Sequence, residues 1–316
     1  MFRFTDKKED VVPKMLEGLA LAHPGLAVDV TDRLVACVGT EKRVGVVVMG
    51  GAGHEPFGTG TVGPGLADAF VLGDVFSAPG PAAVLKALEL ADHGQGVLLI
   101  VLNHAGDMLT ANIAEKEAAR RGKRVSKIVV ADDAALASRS EAAKRRGLAG
   151  AYLVLKAAAV LAKEGKSLEE AGQALEAFAR EIATLGVRGL SDGSVEVGSG
   201  IHCEDSGKVM AAASVEKLCA VVIAKLVADL ELKAGEQVFL MVSGMGAITA
   251  IELLVIYRAC ARALAAQQIE VMAGLSGEYV TVLAQPGFFV TLVRMEQVQK
   301  LPALVDALAK VVTGNC

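Results

Sequence analysis

Short, almost wholly apolar runs alternate along this chain with polar loops and with segments whose apolar residues recur at helical spacing. The runs VGVVVM, GVLLIVL and KIVV in the first 130 residues are typical of strands buried on both faces. The segment Pro81–Ala91, between the first two runs, has a helical pattern that starts at a proline. This alternation predicts a parallel sheet with helical crossovers.

Polar residues follow each of these predicted strands. The first strand runs into the glycine-rich loop GGAGHEP, which contains Gly51, Gly53 and His54. The second ends at NHAGD, which contains Asp107, and the third ends at two aspartates. Open α/β sheets bind ligands at the carboxyl ends of their strands, and glycines let a ligand approach the backbone closely. The sequence therefore predicts a ligand site at this edge of the sheet.

The second half of the chain changes character after an alanine-rich helical region from Arg146 to Ile182. That region is interrupted at GKSLEE, where Ser167 is predicted to cap a helix with Glu170 completing a capping box. A glycine-rich stretch then predicts a boundary, which divides the chain into two α/β domains. Residues 1–185 are predicted to form a mostly parallel sheet with helices on both faces, and residues 186–316 a smaller mixed α/β domain.

In this second domain the pattern predicts helices near residues 214–230 and 248–266, with a strand at 237–242 between them. The segment EYVTVLAQPGFFVTLVRM is interpreted as two strands joined at Gln285-Pro286-Gly287. Proline and glycine at that point are typical turn residues. The sequence thus predicts a hairpin here.

Composition narrows the functional classes. The 316 residues are 53% hydrophobic with a mean hydropathy of +0.46, but charged residues and glycines interrupt every apolar run well before a membrane span. The amino terminus has no apolar leader, so a cytoplasmic location is expected.

Net charge is −4, and the few basic clusters resemble solvated helix ends more than nucleic-acid sites. Five scattered cysteines indicate neither a disulfide framework nor a metal site, and no bound metal is expected.

Two glycine motifs are rejected as nucleotide sites. The GKS at Gly165 lacks the glycine that a phosphate loop has five residues earlier, and its context is helical. The GTGTVG at Gly58 lies too far beyond its strand, without an acidic residue at the usual distance. The chain is therefore expected to bind no nucleotide of its own.

Four motifs in order, GGAGHEP, GDVFSAP, NHAGD and GSGIHCE, resemble the K subunit of dihydroxyacetone kinases, and the likeness extends from AHPGL to GFFVTLVRM. The resemblance implies that His202 binds the ketone carbon of dihydroxyacetone as a covalent hemiaminal. It also implies that Asp107 and His54 perform acid–base chemistry on a substrate hydroxyl, and that Gly51 and Gly53 contact the substrate through their backbones. Glu204 is hypothesised to fix the tautomer of His202.

The same resemblance implies partners. In this family ADP or ATP, with Mg²⁺, is carried by a separate L subunit, and in many bacteria an M subunit delivers phosphate from the phosphotransferase system, with phosphoenolpyruvate as the source. A homodimer is expected. The chain would then be the ketose-binding half of a kinase.

Several positions depart from the family wording. Leu102 stands where lysine is usual, His104 replaces tyrosine, and Cys203 and Asp205 alter the motif around His202. Two alternatives therefore stay open. One is a non-catalytic ketose sensor or co-activator on the same fold, and the other is a kinase subunit for another short ketose.

Overall fold

Two six-stranded sheets form the framework of the protein. The computed structural model describes residues 7–37, 39, 41–202, 204, 208–211, 214–301, 303–305 and 307–308. The altered positions Cys203 and Asp205 lie outside these described residues. Among the described helices, none is long and apolar enough to cross a lipid bilayer.

The first sheet is mostly parallel, as the apolar runs predict. Its strand order is β1-β2-β4-β3-β5-β6, with parallel pairing among the last four and antiparallel pairing of the two short edge strands. All six residues of the fifth strand are buried, which explains its continuous apolar sequence. The strands are β1 (Ala27–Asp29), β2 (Leu34–Ala36), β3 (Gly45–Ala52), β4 (Ala69–Val75), β5 (Val97–Leu102) and β6 (Val125–Val130).

Five helices accompany this sheet, and one of them lies between the two sheets. They are α1 (Val11–Ala22), α2 (Pro81–Ala91), α3 (Ala105–Arg120), α4 (Gly150–Lys163) and α5 (Leu168–Arg180). Every residue of α4 from Gly150 to Ala162 is buried, and this helix contacts strands of both sheets. Ser167 caps α5 through the predicted capping box with Glu170.

The second sheet is mixed, with strand order β11-β10-β12-β7-β8-β9, and among the described strands only β10 and β11 pair in parallel. Its strands are β7 (Ile182–Gly189), β8 (Val195–Val197), β9 (Val209–Met210), β10 (Gln237–Gly244), β11 (Glu270–Gly277) and β12 (Gly287–Arg294). The helices are α6 (Val215–Asp229), α7 (Ala250–Ala265) and α8 (Met295–Gln299). The predicted α/β fold class, with one mostly parallel and one mixed sheet, is confirmed.

One prediction for this half is wrong. The segment before Gln285 is not a strand of a hairpin with β12, because its backbone hydrogen bonds go elsewhere. Thr281 N–H donates to the carbonyl of His54 and Leu283 N–H donates to that of Gly53, so the segment lies across the glycine-rich loop of the first sheet. The strand that precedes this segment in the chain is β11, which pairs with β10 in parallel.

The predicted boundary between residues 185 and 186 lies inside β7, which begins at Ile182. The strand therefore belongs as a whole to the second sheet. One hydrophobic cluster includes Val46 and Ile100 of the first sheet, Leu155 of α4, and Phe239 and Phe289 of the second sheet. The two sheets thus share a continuous core, and their division into two domains stays a prediction.

Candidate functional site

A cavity lies at the carboxyl ends of β3 and β5. β3 and β5 are neighbouring strands. The chain continues from β3 to β4 on one side and from β5 to β6 on the other side, so the two connections diverge at this point of the sheet. Ligands bind at such a point in open α/β sheets. The cavity is lined by Gly50, Gly51, His54, Phe57, Phe70, Leu102, His104, Asp107 and His202. The structure therefore brings together His54, Asp107 and His202, the three residues to which the sequence assigns chemistry.

His54 is buried, and its ring is held by the loop from the second half of the chain. Its Nδ1 lies 2.8 Å from the carbonyl oxygen of Thr281. Because a carbonyl can only accept, Nδ1 carries the proton and Nε2 carries the lone pair. Burial lowers the pKa of His54 to about 3, so the ring is neutral at physiological pH. His54 is thus arranged to accept a hydrogen bond at Nε2.

Phe76 packs on the other side of His54. The two rings are stacked with centroids 5.2 Å apart, and Phe76 also lies 5.4 Å from the ring of His202. Its backbone has a φ of 59°, which is uncommon for a large side chain. Such conformations are found where the surroundings impose them, often at functional sites. Phe76 therefore supplies an apolar wall that keeps the histidines desolvated.

Asp107 lies in the first turn of α3, directly after β5. Its side chain is buried, and its Oδ1 has no hydrogen-bond partner among the described residues. Burial raises the pKa of this carboxyl to about 6, although the neighbouring His202 acts in the opposite direction. An unpaired carboxyl that titrates near neutrality is suited to general acid–base chemistry.

His202 lies on the loop after β8 and reaches the cavity from the second sheet. Its ring centroid is 5.2 Å from that of His54 and 4.6 Å from that of His104. Its Nδ1 lies 3.3 Å from Glu204 Oε1, and its backbone N–H donates to Glu204 Oε2 at 2.9 Å. Because a carboxylate can only accept, this contact favours the tautomer with the proton on Nδ1 and the lone pair on Nε2.

Glu204 is itself held in place. Despite partial burial, which acts in the opposite direction, hydrogen bonds from His202 lower the pKa of Glu204 to about 2. Arg146 Nη1 lies 3.8 Å from Glu204 Oε2, and the same guanidinium donates to Asp133 Oδ2 and to the carbonyl of Gly198. Arg146 therefore ties the His202 loop to the end of the first sheet.

The third histidine, His104, lines the cavity as well. Its Nε2 lies 2.9 Å from the carbonyl of Gly147, and its Nδ1 lies 3.8 Å from Glu204 Oε1. Burial lowers the pKa of His104 to about 4. His104 is thus a second neutral imidazole in contact with His202.

The two predicted glycines have different positions. Gly51 lines the cavity, and a Cβ there would lie 2.8 Å from the backbone nitrogen of Ser77, so a side chain does not fit. Gly53 has a φ of 101° and is not among the lining residues. Its N–H donates to the Glu55 carboxylate, and its carbonyl accepts from Leu283 N–H. A backbone contact between Gly53 and a substrate stays a prediction.

Sequence reasoning missed the residues that orient the site. Thr281 falls in the segment interpreted as a strand, and Arg146 falls in a basic run interpreted as a solvated helix end. The aspartates after β6 are positioning residues: Asp132 accepts hydrogen bonds from Leu148 N–H and Gly150 N–H at the start of α4, and Asp133 binds Arg146. In the sequence, the one indication that these two aspartates matter is that they follow a predicted strand.

Two sheets that share one core meet at a cavity lined by three histidines and a buried carboxyl, which is the kind of concave site at which proteins bind small molecules. Residues 17–313 match the Dak1 domain, and the chain belongs to this family.

Relatives and solved structures agree with this assignment. The chain is 30% identical to the dihydroxyacetone-binding subunit of the PTS-dependent dihydroxyacetone kinase of Lactococcus lactis, over 99% of both chains. It is 33% identical to the corresponding subunit of kinase 1 of Listeria innocua, over 98% of this chain and 100% of the relative.

Among solved structures, the dihydroxyacetone kinase of C. freundii has a TM-score of 0.84 at 30% identity, over 95% of this chain and 58% of the kinase. A dihydroxyacetone kinase operon co-activator has a TM-score of 0.87 at 30% identity, over 93% of this chain and 94% of the co-activator.

Proposed function

We propose that this chain is the dihydroxyacetone-binding subunit of a dihydroxyacetone (glycerone) kinase, and that it binds the ketose as a covalent hemiaminal on His202. The observation that carries the proposal is the convergence of His202, His54 and Asp107 on one cavity. The names of the full-length relatives support it, since they are dihydroxyacetone-binding subunits.

The covalent step follows from the tautomer of His202. The lone pair on Nε2 attacks the ketone carbon and forms a C–N bond, while the π electrons of the carbonyl move to its oxygen. The oxygen takes a proton from a solvent water, and the ring releases its Nδ1 proton past Glu204, 3.3 Å away, to the hydroxide that remains. The product is a neutral hemiaminal. This chemistry selects ketones over alcohols of the same size.

Phosphoryl transfer would use the groups on the opposite side of the cavity. The ionised Asp107 accepts the proton of a substrate hydroxyl as that hydroxyl attacks the phosphoryl group. His54, neutral and with its lone pair on Nε2, accepts a hydrogen bond from the substrate and orients it. This refines the expectation that His54 performs acid–base chemistry on a substrate hydroxyl, because its Nδ1–H is already bonded to Thr281.

The proposal includes partners. A separate L subunit would carry ADP or ATP with Mg²⁺, and an M subunit would pass phosphate from phosphoenolpyruvate through the phosphotransferase system. The PTS-dependent relatives support this source of phosphate. We also propose a homodimer located in the cytoplasm.

The second candidate function is a non-catalytic ketose-binding co-activator, and the likeness to a solved operon co-activator favours it. Such a protein would need only the covalent anchor at His202. The buried, unpaired Asp107 favours the kinase, because a sensor has no proton to remove. A kinase subunit for another short ketose would use the same residues.

Native mass spectrometry with dihydroxyacetone tests the anchor. We expect the mass of the wild-type chain to increase by one ketose without loss of water, and the increase to be absent in His202→Ala. His23→Ala, which removes an exposed histidine far along the chain from the site motifs, is the matched control and should retain the adduct. An adduct on His202→Ala, or none on the wild type, contradicts the proposal. Erythrulose in place of dihydroxyacetone tests the preference for a four-carbon ketose.

Phosphoryl transfer then separates kinase from co-activator. With L and M subunits of a PTS-dependent kinase, the carrier proteins of the phosphotransferase system and phosphoenolpyruvate, the wild type should form dihydroxyacetone phosphate. Asp107→Asn should form the adduct without turnover. An adduct without turnover in the wild type supports the co-activator, and unchanged turnover in Asp107→Asn removes Asp107 from catalysis.

A further inference from the structure

Three side chains beside the cavity present ligand atoms of the kind that transition metals bind. His104, His202 and Glu204 each offer one ligand atom, and these three atoms lie within 4.8 Å of one another. Glu204 Oε1 lies 3.3 Å from His202 Nδ1 and 3.8 Å from His104 Nδ1. In a tetrahedral zinc site with bonds of about 2.0–2.1 Å, the ligand atoms are about 3.4 Å apart. Small side-chain shifts would therefore bring these atoms to coordination distance.

The second contacts of the same residues also fit a metal site. The Nε2–H of His104 donates to the carbonyl of Gly147, which leaves the Nδ1 lone pair toward Glu204. Metal-binding histidines characteristically donate their other N–H to a carbonyl or a carboxylate. Glu204 Oε2 accepts from the backbone N–H of His202, which fixes the carboxylate and leaves Oε1 toward the histidines.

His104 Nδ1 faces Glu204 Oε1 at 3.8 Å without a hydrogen bond, although Oε1 also accepts from the Nδ1–H of His202 at 3.3 Å. Both atoms are acceptors, and no proton lies between them in the tautomer that the Gly147 carbonyl selects. Two facing acceptors repel each other unless a hydrogen-bond donor or a cation lies between them. The positive charge of Arg146 is close to Glu204, but it is shared with Asp133, to which its Nε donates at 2.7 Å. The position between the two imidazoles and Glu204 Oε1 is therefore suited to a cation.

We propose that His104, His202 and Glu204 form a binding site for a divalent metal ion of the Zn²⁺ type, and that the bound metal and the ketose adduct exclude each other. Two imidazoles and one carboxylate suit Zn²⁺ better than Mg²⁺ or Ca²⁺, which prefer oxygen ligands. The second half of this proposal rests on the proposed function, whereas the metal site does not. Cysteine spacing, on which the expectation of no metal was based, gives no signal for such a site.

The exclusion follows from the tautomer of His202. Metal binding at Nδ1 requires the lone pair on that atom, so the single ring proton moves to Nε2. The nitrogen that would attack the ketone then carries a hydrogen and has no lone pair to donate. No oxidation or reduction is involved, and the metal is released when a chelator removes it.

Titration of the metal-free chain with Zn²⁺, without ketose, tests the site. We expect one ion to bind per chain, and His104→Phe and Glu204→Gln each to weaken binding by about 100-fold, at least as much as loss of an outer-shell contact. His23→Ala should bind like the wild type. Co²⁺ in place of Zn²⁺ should give the visible absorption of a four-coordinate nitrogen–oxygen site, and its loss in both variants identifies the ligands. Failure to bind Zn²⁺, or equal binding by wild type and both variants, overturns the site.

The exclusion is tested separately by native mass spectrometry. With EDTA present the wild type should form the dihydroxyacetone adduct, and saturating Zn²⁺ should abolish it. An adduct that persists on the Zn²⁺-loaded chain overturns the exclusion. If no adduct forms even with EDTA, the proposed function fails while the Zn²⁺ titration still decides the metal site.

Discussion

Asp107 should destabilise the folded chain when it is ionised, so replacing it with asparagine should increase stability. The carboxyl is buried, and its Oδ1 has no hydrogen-bond partner among the described residues. Asparagine has nearly the same shape but no charge. Asp107→Asn therefore removes the desolvation penalty while it leaves the packing nearly unchanged.

The magnitude follows from the shift of the pKa. Burial raises the pKa of Asp107 from 3.8 to about 6, so the folded state binds the proton more tightly than the unfolded state. A group of this kind contributes stability below pH 3.8 that is lost as pH rises through 6. A shift of about two units corresponds to about 3 kcal/mol, fully expressed above pH 7 and about half expressed at pH 5.

Urea unfolding of the wild type and Asp107→Asn at pH 5 and pH 8 measures the effect. The difference in free energy of unfolding should favour Asp107→Asn and should increase with pH. Comparing the two proteins cancels other groups, such as His54, whose lowered pKa makes the folded state more stable as pH rises.

Asp68→Asn is the matched control for this experiment. Asp68 is also buried, but it accepts hydrogen bonds from Arg43 and from the backbone N–H of Val46. Its loss removes the buried carboxylate that accepts two hydrogen bonds from the partly buried Arg43, so this variant should be less stable than the wild type. If Asp107→Asn is no more stable at pH 8, or if its effect does not depend on pH, Asp107 is not a desolvated, unpaired carboxylate.

Three further predictions concern activity and packing. Phosphoryl transfer should fall as pH drops through about 6, because Asp107 must be ionised, and a flat profile of kcat/KM between pH 5 and 8 would contradict this. Gly51→Ala should lower the free energy of unfolding by about 1–3 kcal/mol, because its Cβ would lie 2.8 Å from a backbone nitrogen. Gly50→Ala, whose Cβ would meet open space, should leave the free energy of unfolding unchanged. Ser167→Ala should lose about 1 kcal/mol by the same measurement, and Ser138→Ala, which removes no capping hydrogen bond, should not; equal effects would remove the capping argument.

The sequence predicts three strands of the first sheet, β3, β5 and β6, because their apolar runs are decided locally, whereas β1, β2 and β4 are absent from its predictions. Strands such as β5 are buried on both faces, so they are apolar at every position, and α2 begins at the proline that predicts it. The segment before Gln285 is alternating and apolar enough to be a strand. Its hydrogen bonds are instead decided by Gly53 and His54, more than 200 residues away in the chain. No local pattern contains that information.

The candidate site shows the same contrast between features that the local sequence predicts and features that distant contacts decide. The residues with candidate chemical roles follow predicted strands or lie in glycine-rich motifs, so the sequence indicates His54, Asp107 and His202. The tautomer of His54, in contrast, is set by a contact between distant parts of the chain, the carbonyl of Thr281 at its Nδ1. Burial and hydrogen-bond direction decide which nitrogen carries the lone pair, and neither is visible before the two sheets are brought together.

The arrangement of Asp107 bears on the choice between kinase and co-activator. An unpaired buried carboxyl lowers stability, so it is expected where it serves a chemical step rather than where it only completes a fold. A co-activator that needs only the His202 anchor would be more stable with a neutral residue at this position and would bind the ketose equally well. A kinase subunit needs a group that is ionised at neutral pH yet close enough to its pKa to exchange a proton. Asp107, with a pKa raised to about 6, meets both requirements, and its destabilising charge is the physical reason to favour the enzyme.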